Sequence, residues 1–206
     1  MNTSLTAAAV TLALAFSAQA IPPLPSVQPG FYRIEPTHTR VLFSVSHFGF
    51  TTYYGEFVGA SGTLELDPTN LAASRLDVSV PIAGISTPSA ALNGQLKGPD
   101  WFNAAAFPIM SFHSTLITST GPNTADVDGD LTLHGVTRPV TFKARFTSAG
   151  IDSLDRADMA GFEVRGRIRR SDFGVTKYVP LVGDEVRLII SAGFERAGAS
   201  SVTGPK

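Results

Sequence analysis

Histidine is the residue type through which this 206-residue chain could most readily perform acid–base or metal chemistry. The chain has four histidines, and none lies in a tight metal-ligand spacing such as His-Glu-x-x-His. It has no cysteine, which excludes a thiol nucleophile and a thiolate metal site. Nucleophile-elbow, phosphate-loop and dinucleotide motifs are also missing from the sequence. We therefore expect neither enzyme activity nor a cofactor or metal.

His47 is the histidine that shares strand parity with apolar residues, because Val41, Phe43 and Val45 precede it at alternate positions. An imidazole on an apolar face needs a polar partner, since an unpaired buried polar group is costly. His47 is thus either a core residue whose imidazole is hydrogen-bonded within the protein, or a polar contact to a ligand headgroup near a barrel mouth. A third possibility is that His47 is the acid–base group of an enzyme built on the barrel.

His134 lies instead among the alternate strand positions that carry polar side chains, together with three aspartates. If the apolar faces of the two flanking strands coincide, either Asp128 or Asp130 faces Lys143 across a hairpin. These charges then fix the strand pairing rather than perform catalysis. His113 is expected on the outside of its strand, and His38 in a loop.

Between the ends of the chain, apolar and polar residues alternate with a period of two. Such alternation indicates strands with one solvent-exposed and one apolar face. An apolar sheet face must be covered, so the sheet stacks on a second sheet or closes into a barrel. A barrel of about eight strands encloses packed side chains or one ligand. The predicted strands are 31–34, 40–48, 56–66, 75–82, 109–117, 125–133, 140–146, 162–168 and 186–194.

One short helical connection, residues 86–107, interrupts the strands. Ser86 or Thr87 is expected to cap it, and Pro88 suits its first turn. Two glycines weaken it, which favours short helical turns. Trp101, the sole tryptophan, follows these turns and is placed to plug one end of a barrel.

Glycines recur at the alternate strand positions that otherwise carry apolar side chains, at Gly62, Gly129 and Gly166. They mark either bends at barrel corners or missing side chains that leave an apolar tube between large aromatics. In the basic run "RGRIRR", the alternation of the strand places three arginines on the outer face and Arg170 on the inner face. Arg170 is expected to pair with Asp172 or, less readily, with a ligand phosphate.

The two ends of the chain differ from its centre. Residues 1–20 have an apolar centre and end in Ala18-Gln19-Ala20, a pattern typical of a signal peptide cleaved after Ala20. We therefore expect a periplasmic or secreted protein with a Pro-rich lead-in at 21–30, one domain at 31–196 and a flexible tail at 197–206. No later segment is long and apolar enough to span a membrane. The formal net charge of −1 argues against a nucleic-acid binder.

Several stretches, taken in order, resemble the YceI-like family of exported proteins from about Tyr32 to Glu195. The resemblance implies an all-β, lipocalin-like antiparallel barrel with a long apolar cavity for isoprenoids or other amphiphilic lipids, typically in the periplasm. The chain departs from the family pattern at Asn93 and Gln95, where relatives have an aspartate and a histidine. The stretches are "PTHTRVLFSVSHFGF", "GEFVGASGTLELDP", "QLKGPDWFNAAAFPIMSFHSTLI", "GDLTLHGVTRPV" and "RRSDFGV".

These observations predict an exported binding protein that holds a polyisoprenoid or quinone-like lipid for transport, storage or sequestration. The alternatives are a stress-related structural protein with a self-filled barrel, and a barrel enzyme that uses His47. A homodimer and a membrane-protein donor or acceptor of the ligand are further expectations. The residues predicted to contact the ligand are Phe43, Val45, His47, Phe57, Trp101, Phe102, Met110, Phe112, Leu131, Phe142, Phe162 and Ile168.

Overall fold

The computed structural model describes residues 27–154 and 156–198. The predicted signal peptide, most of the Pro-rich lead-in and most of the predicted tail lie outside the described residues. Within the described ranges, no helix has the length and apolarity needed to cross a membrane.

Most of the described residues form strands, as the alternation predicts, and the described ranges also contain one α-helix and three short 3-10 turns. The elements are β1 (Gly30–Ile34), β2 (Arg40–His47), β3 (Thr51–Phe57), β4 (Ser61–Leu66), β5 (Arg75–Pro81), β6 (Ile85–Ser86), α1 (Ala90–Leu96), β7 (Ile109–Gly121), β8 (Thr124–Leu133), β9 (Val136–Ile151), β10 (Asp158–Arg169) and β11 (Val182–Arg196).

Eight antiparallel strands close into a barrel in the order β1-β4-β5-β7-β8-β9-β10-β11, and β11 returns to β1. The predicted all-β barrel with one short helical connection is therefore confirmed. β11 also pairs with β2 along its first part, and β3 and β6 continue the wall from there. The core lies inside this closed sheet, where the apolar parity of each strand points.

The predicted strand 56–66 is wrong as a single element, because the chain breaks between β3 and β4. Gly59 has a φ of +80°, a left-handed conformation that strands do not adopt. The backbone N–H of Val58 then donates to the Gly84 carbonyl at 3.1 Å, outside the ladder of either strand.

The helical connection contains α1, followed by turns that reach Ala106. Its cap is Ser89, whose hydroxyl accepts from the Leu92 N–H at 3.3 Å, so the expected cap at Ser86 or Thr87 is wrong. The Thr87 hydroxyl donates to the Asn93 side chain at 2.7 Å instead. Asn93, one of the two departures from the family pattern, therefore has a partner within its own segment.

The hairpin between β8 and β9 turns at His134 and Gly135. Both residues have positive φ, 52° and 76°, and a two-residue turn of this kind fits the right-handed twist of paired strands. The turn sets Asp126 opposite Lys143, 3.1 Å apart, so both expected partners of Lys143 are wrong. The His134 ring packs against Phe107, and its Nδ1 lies 3.1 Å from the Phe173 carbonyl.

Replacement of Gly135 by alanine should destabilise the protein. A Cβ at this position would lie 2.4 Å from the Phe107 ring, and the left-handed conformation itself costs about 1–2 kcal/mol for an L-residue. Urea unfolding should show a loss of about 1–3 kcal/mol. Gly94→Ala is the control, because Gly94 lies in α1 with open space around it and should gain roughly 0.5–1 kcal/mol. Equal stability of the two variants would contradict the assigned turn.

Candidate functional site

An apolar cavity of about 750 Å³ runs inside the barrel. Its walls are inward side chains such as Val78, Val127, Val164 and Leu188, which belong to strands all around the ring. This volume lies within the range of about 300–1,000 Å³ typical of small-molecule sites, and such sites are mostly apolar.

The two ends of the cavity differ. At one end, which we call the mouth, the lining residues Thr69, Asn70 and Pro122 are also exposed, so the cavity reaches solvent there. At the other, the closed end, Leu96 and Arg170 line the cavity and are buried.

Eleven of the twelve residues predicted to contact a ligand line this cavity. That they bind a ligand stays a prediction. Most of them lie on strands, where the parity that selected them is the parity of the inner wall, whereas Trp101 and Phe102 lie in the connection between α1 and β7. The eleven are Phe43, Val45, Phe57, Trp101, Phe102, Met110, Phe112, Leu131, Phe142, Phe162 and Ile168.

His47 does not line the cavity, and the inward orientation expected of it is wrong. It is the last residue of β2 and is exposed, with its ring against Phe48 and Tyr53 at centroid distances of 4.6 and 6.1 Å. Parity ceases to predict burial at this position because the strand ends there and the chain turns.

The remaining histidines also lie away from the cavity wall. His113 is exposed on β7 with its Nδ1 2.6 Å from Asp77, and His38 is exposed in a loop with its Nδ1 2.6 Å from Glu35. Burial raises the pKa of Glu35, but hydrogen bonds from Thr37 and His38 outweigh it and lower that pKa to about 2. Within 27–154 and 156–198, no group of three or more acidic or histidine side chains could hold a metal ion.

Three inner glycines explain how the barrel holds large aromatics and still contains a cavity. A Cβ at Gly55 would lie 2.4 Å from the Phe43 ring. At Gly129 it would lie 2.5 Å from Phe112, and at Gly166 2.3 Å from Phe142. Each ring therefore lies over a glycine of a neighbouring strand, against the wall.

Gly62 differs because all of the atoms nearest to such a Cβ are backbone atoms, whereas at Gly129 the Phe112 ring lies beside the His113 carbonyl oxygen, which is 2.4 Å away. It has a φ of +156°, and a Cβ there would lie 2.1 Å from the Asp77 carbonyl oxygen. Gly62 thus marks a close backbone approach, which is neither of the two expected explanations of the inner glycines.

Gly166→Ala should destabilise the barrel through Phe142 specifically. The added methyl group displaces the Phe142 ring, and overpacking of this kind costs about 1–3 kcal/mol. Phe142→Leu in the same chain should relieve most of that cost, so the two substitutions should be non-additive in urea unfolding. Additive losses would show that the ring does not lie over Gly166.

Arg170 is the charged residue of the closed end, and its surroundings were not predicted. Its guanidinium donates to three backbone carbonyls, Val175 at 2.9 Å, Val182 at 2.8 Å and Gly183 at 2.9 Å. It also lies over the Trp101 ring, 5.5 Å from the centroid. The expected pairing with Asp172 is wrong, because the 3-10 turn at Arg170–Phe173 directs the guanidinium toward the chain that returns into β11.

Burial lowers the pKa of Arg170, and the nearby carboxylate of Asp184 opposes that effect. Asp184 itself is held by other groups, since it accepts from the Ser171 N–H at 2.9 Å and from Arg169 Nε at 3.0 Å. Burial raises the pKa of Asp184, but these hydrogen bonds outweigh it and leave that pKa lowered.

The mouth was missed by sequence reasoning. Its residues lie in the loop between β4 and β5 and in the turn between β7 and β8, where no alternation marks an inward face. The cluster of polar and turn residues in each loop predicts only a connection.

The sequence model of the YceI-like domain matches residues 32–194. The chain belongs to the YceI-like family. It is 36% identical over 157 residues to Protein YceI of Escherichia coli, which covers 76% of this chain and 81% of that protein. It is also 36% identical over 154 residues to a UPF0312 protein of Ectopseudomonas mendocina, covering 75% and 80%.

Solved structures of similar proteins show the same fold. BcnA of Burkholderia cenocepacia superimposes with a TM-score of 0.70 at 24% identity, covering 78% of this chain and 98% of BcnA. The YceI protein of Campylobacter jejuni gives 0.66 at 24% identity, covering 73% and 89%. A polyisoprenoid-binding domain from Saccharophagus degradans gives 0.61 at 13% identity, covering 82% and 99%.

Proposed function

We propose that this YceI-like protein is an exported carrier that holds one long apolar or amphiphilic lipid, such as a polyisoprenoid or a quinone-like molecule, inside its barrel. The observation that carries the proposal is the apolar cavity of about 750 Å³, open at the mouth and closed at the Arg170 end. A cavity of this shape accepts a chain lengthwise and removes it from water.

Apolar burial supplies the driving force, so the function needs no covalent chemistry. At about 0.8 kcal/mol per buried methylene group, ten methylenes contribute about 8 kcal/mol, which corresponds to a dissociation constant on the order of micromolar. Ordering the lipid chain reduces this gain, and longer chains restore it.

The fold shared with the Saccharophagus degradans domain, which is described as polyisoprenoid-binding, supports the choice of ligand class. The amino-terminal pattern supports export to the periplasm or outside the cell. The exposed position of His47 disfavours the enzyme alternative, and the unfilled lumen disfavours the self-filled structural barrel.

Native mass spectrometry of the protein purified from its source organism should reveal a bound lipid. Ala144→Trp should remove it, because Ala144 lines the cavity on β9 and the added indole occupies the lumen. Displacing as few as two methylene groups weakens binding about tenfold. Thr147→Trp is the matched control, since Thr147 lies on the same strand and is exposed.

Equal lipid occupancy in the two tryptophan variants would contradict binding inside the barrel. Wild-type protein that always emerges without lipid, and that takes up neither polyisoprenoids, quinones nor fatty amides, would contradict the carrier function altogether.

A further inference from the structure

The closed end of the cavity combines features that a purely apolar lipid would not require. Arg170 is only 5% exposed, yet it lines the cavity beside Trp101. A buried cation in an apolar lumen is costly unless its charge and its donors are matched.

The donors of Arg170 are only partly used. A guanidinium has five N–H donors. The Nε, Nη1 and Nη2 atoms of Arg170 each donate to one backbone carbonyl, so one N–H on each terminal nitrogen has no acceptor within the described part of the chain.

The charge of Arg170 is likewise not matched by a direct ion pair. Among residues 27–154 and 156–198, no carboxylate lies within 4.0 Å of its guanidinium. The nearby carboxylate, Asp184, forms its ion pair with Arg169 at 3.0 Å and is also bound by Ser171. Two arginines thus share one carboxylate, which leaves one positive charge at the end of the cavity.

We propose that Arg170 binds an anionic oxygen headgroup, a carboxylate or a phosphate, so that the lipid lies with its head at the closed end and its tail toward the mouth. This inference rests on the proposed function and adds to it the orientation and the head chemistry of the ligand. The free N–H groups donate to the head oxygens, and charge-assisted hydrogen bonds of this kind are the stronger ones. The backbone carbonyls and Trp101 hold the guanidinium in place before the ligand arrives.

The first experiment compares hexadecanoic acid with its methyl ester, which has the same chain without the charge. Binding is followed through the fluorescence of Trp101, the sole tryptophan, which lines the cavity next to Arg170. The wild-type protein should bind the acid about tenfold or more tightly than the ester. Arg170→Met should abolish this preference, while Arg170→Lys retains part of it.

Arg167→Met is the matched control for charge, because Arg167 is exposed on β10 and pairs with Glu185. It should leave the preference for the acid unchanged. A folded Arg170→Met variant that still prefers the acid would overturn the inference. Binding of acid and ester with equal affinity by the wild type, or binding of neither, would overturn it too. Both outcomes would leave the carrier function standing, because that function fails only if polyisoprenoids, quinones and fatty amides are not taken up.

A second experiment needs no substitution, in case Arg170→Met fails to fold. Hexadecanoic acid is brominated either next to the carboxylate or at the far end of the chain, and bromine quenches tryptophan fluorescence on close contact. With the head at the closed end, the head-proximal bromine should quench Trp101 more strongly. Stronger quenching by the terminal bromine would overturn the proposed orientation.

Discussion

The pairing of β1 with β11 is the constraint on which the rest of the structure depends. Three residue pairs, from Tyr32–Arg196 to Ile34–Phe194, join the first strand to the last and turn an open sheet into a barrel. Tyr32 is 1% exposed and its hydroxyl donates to the Gln28 carbonyl at 2.6 Å, while Arg196 lies 3.5 Å from Asp158 on β10. Closure removes the edges of the ring and buries the inner face without a second layer.

A closed barrel of eight strands is narrow enough for its own side chains to fill it. In this protein, three phenylalanine rings lie over glycines of neighbouring strands, so the aromatic surface lines the wall and the lumen stays open. The glycines cost conformational entropy on folding. They leave room for a largely apolar cavity, and the buried Arg170 lies at its closed end.

Strand parity predicted most of the cavity wall, because period two is imposed by the pleat and holds wherever a strand continues. It failed for His47, where β2 ends, and between β3 and β4, where a left-handed glycine interrupts the ladder. It also could not locate the mouth, since loops carry no such period.

The contacts of Arg170 were beyond prediction for another reason. Its inward position was predicted correctly, but its partners lie 5 to 13 residues away, in the segment that leads into β11. The hairpin at His134 shows the same limit, because parity permits more than one register and the position of the turn decides which aspartate of β8 faces Lys143.

The central claim is that the lumen of this barrel is a lipid site rather than a packing defect. A crystal structure of the protein purified from its source organism tests it most directly. The account predicts continuous elongated electron density from the closed end beside Trp101 to the mouth at Asn70. A lumen occupied by ordered water, or filled by side chains turned inward from the wall, would contradict it.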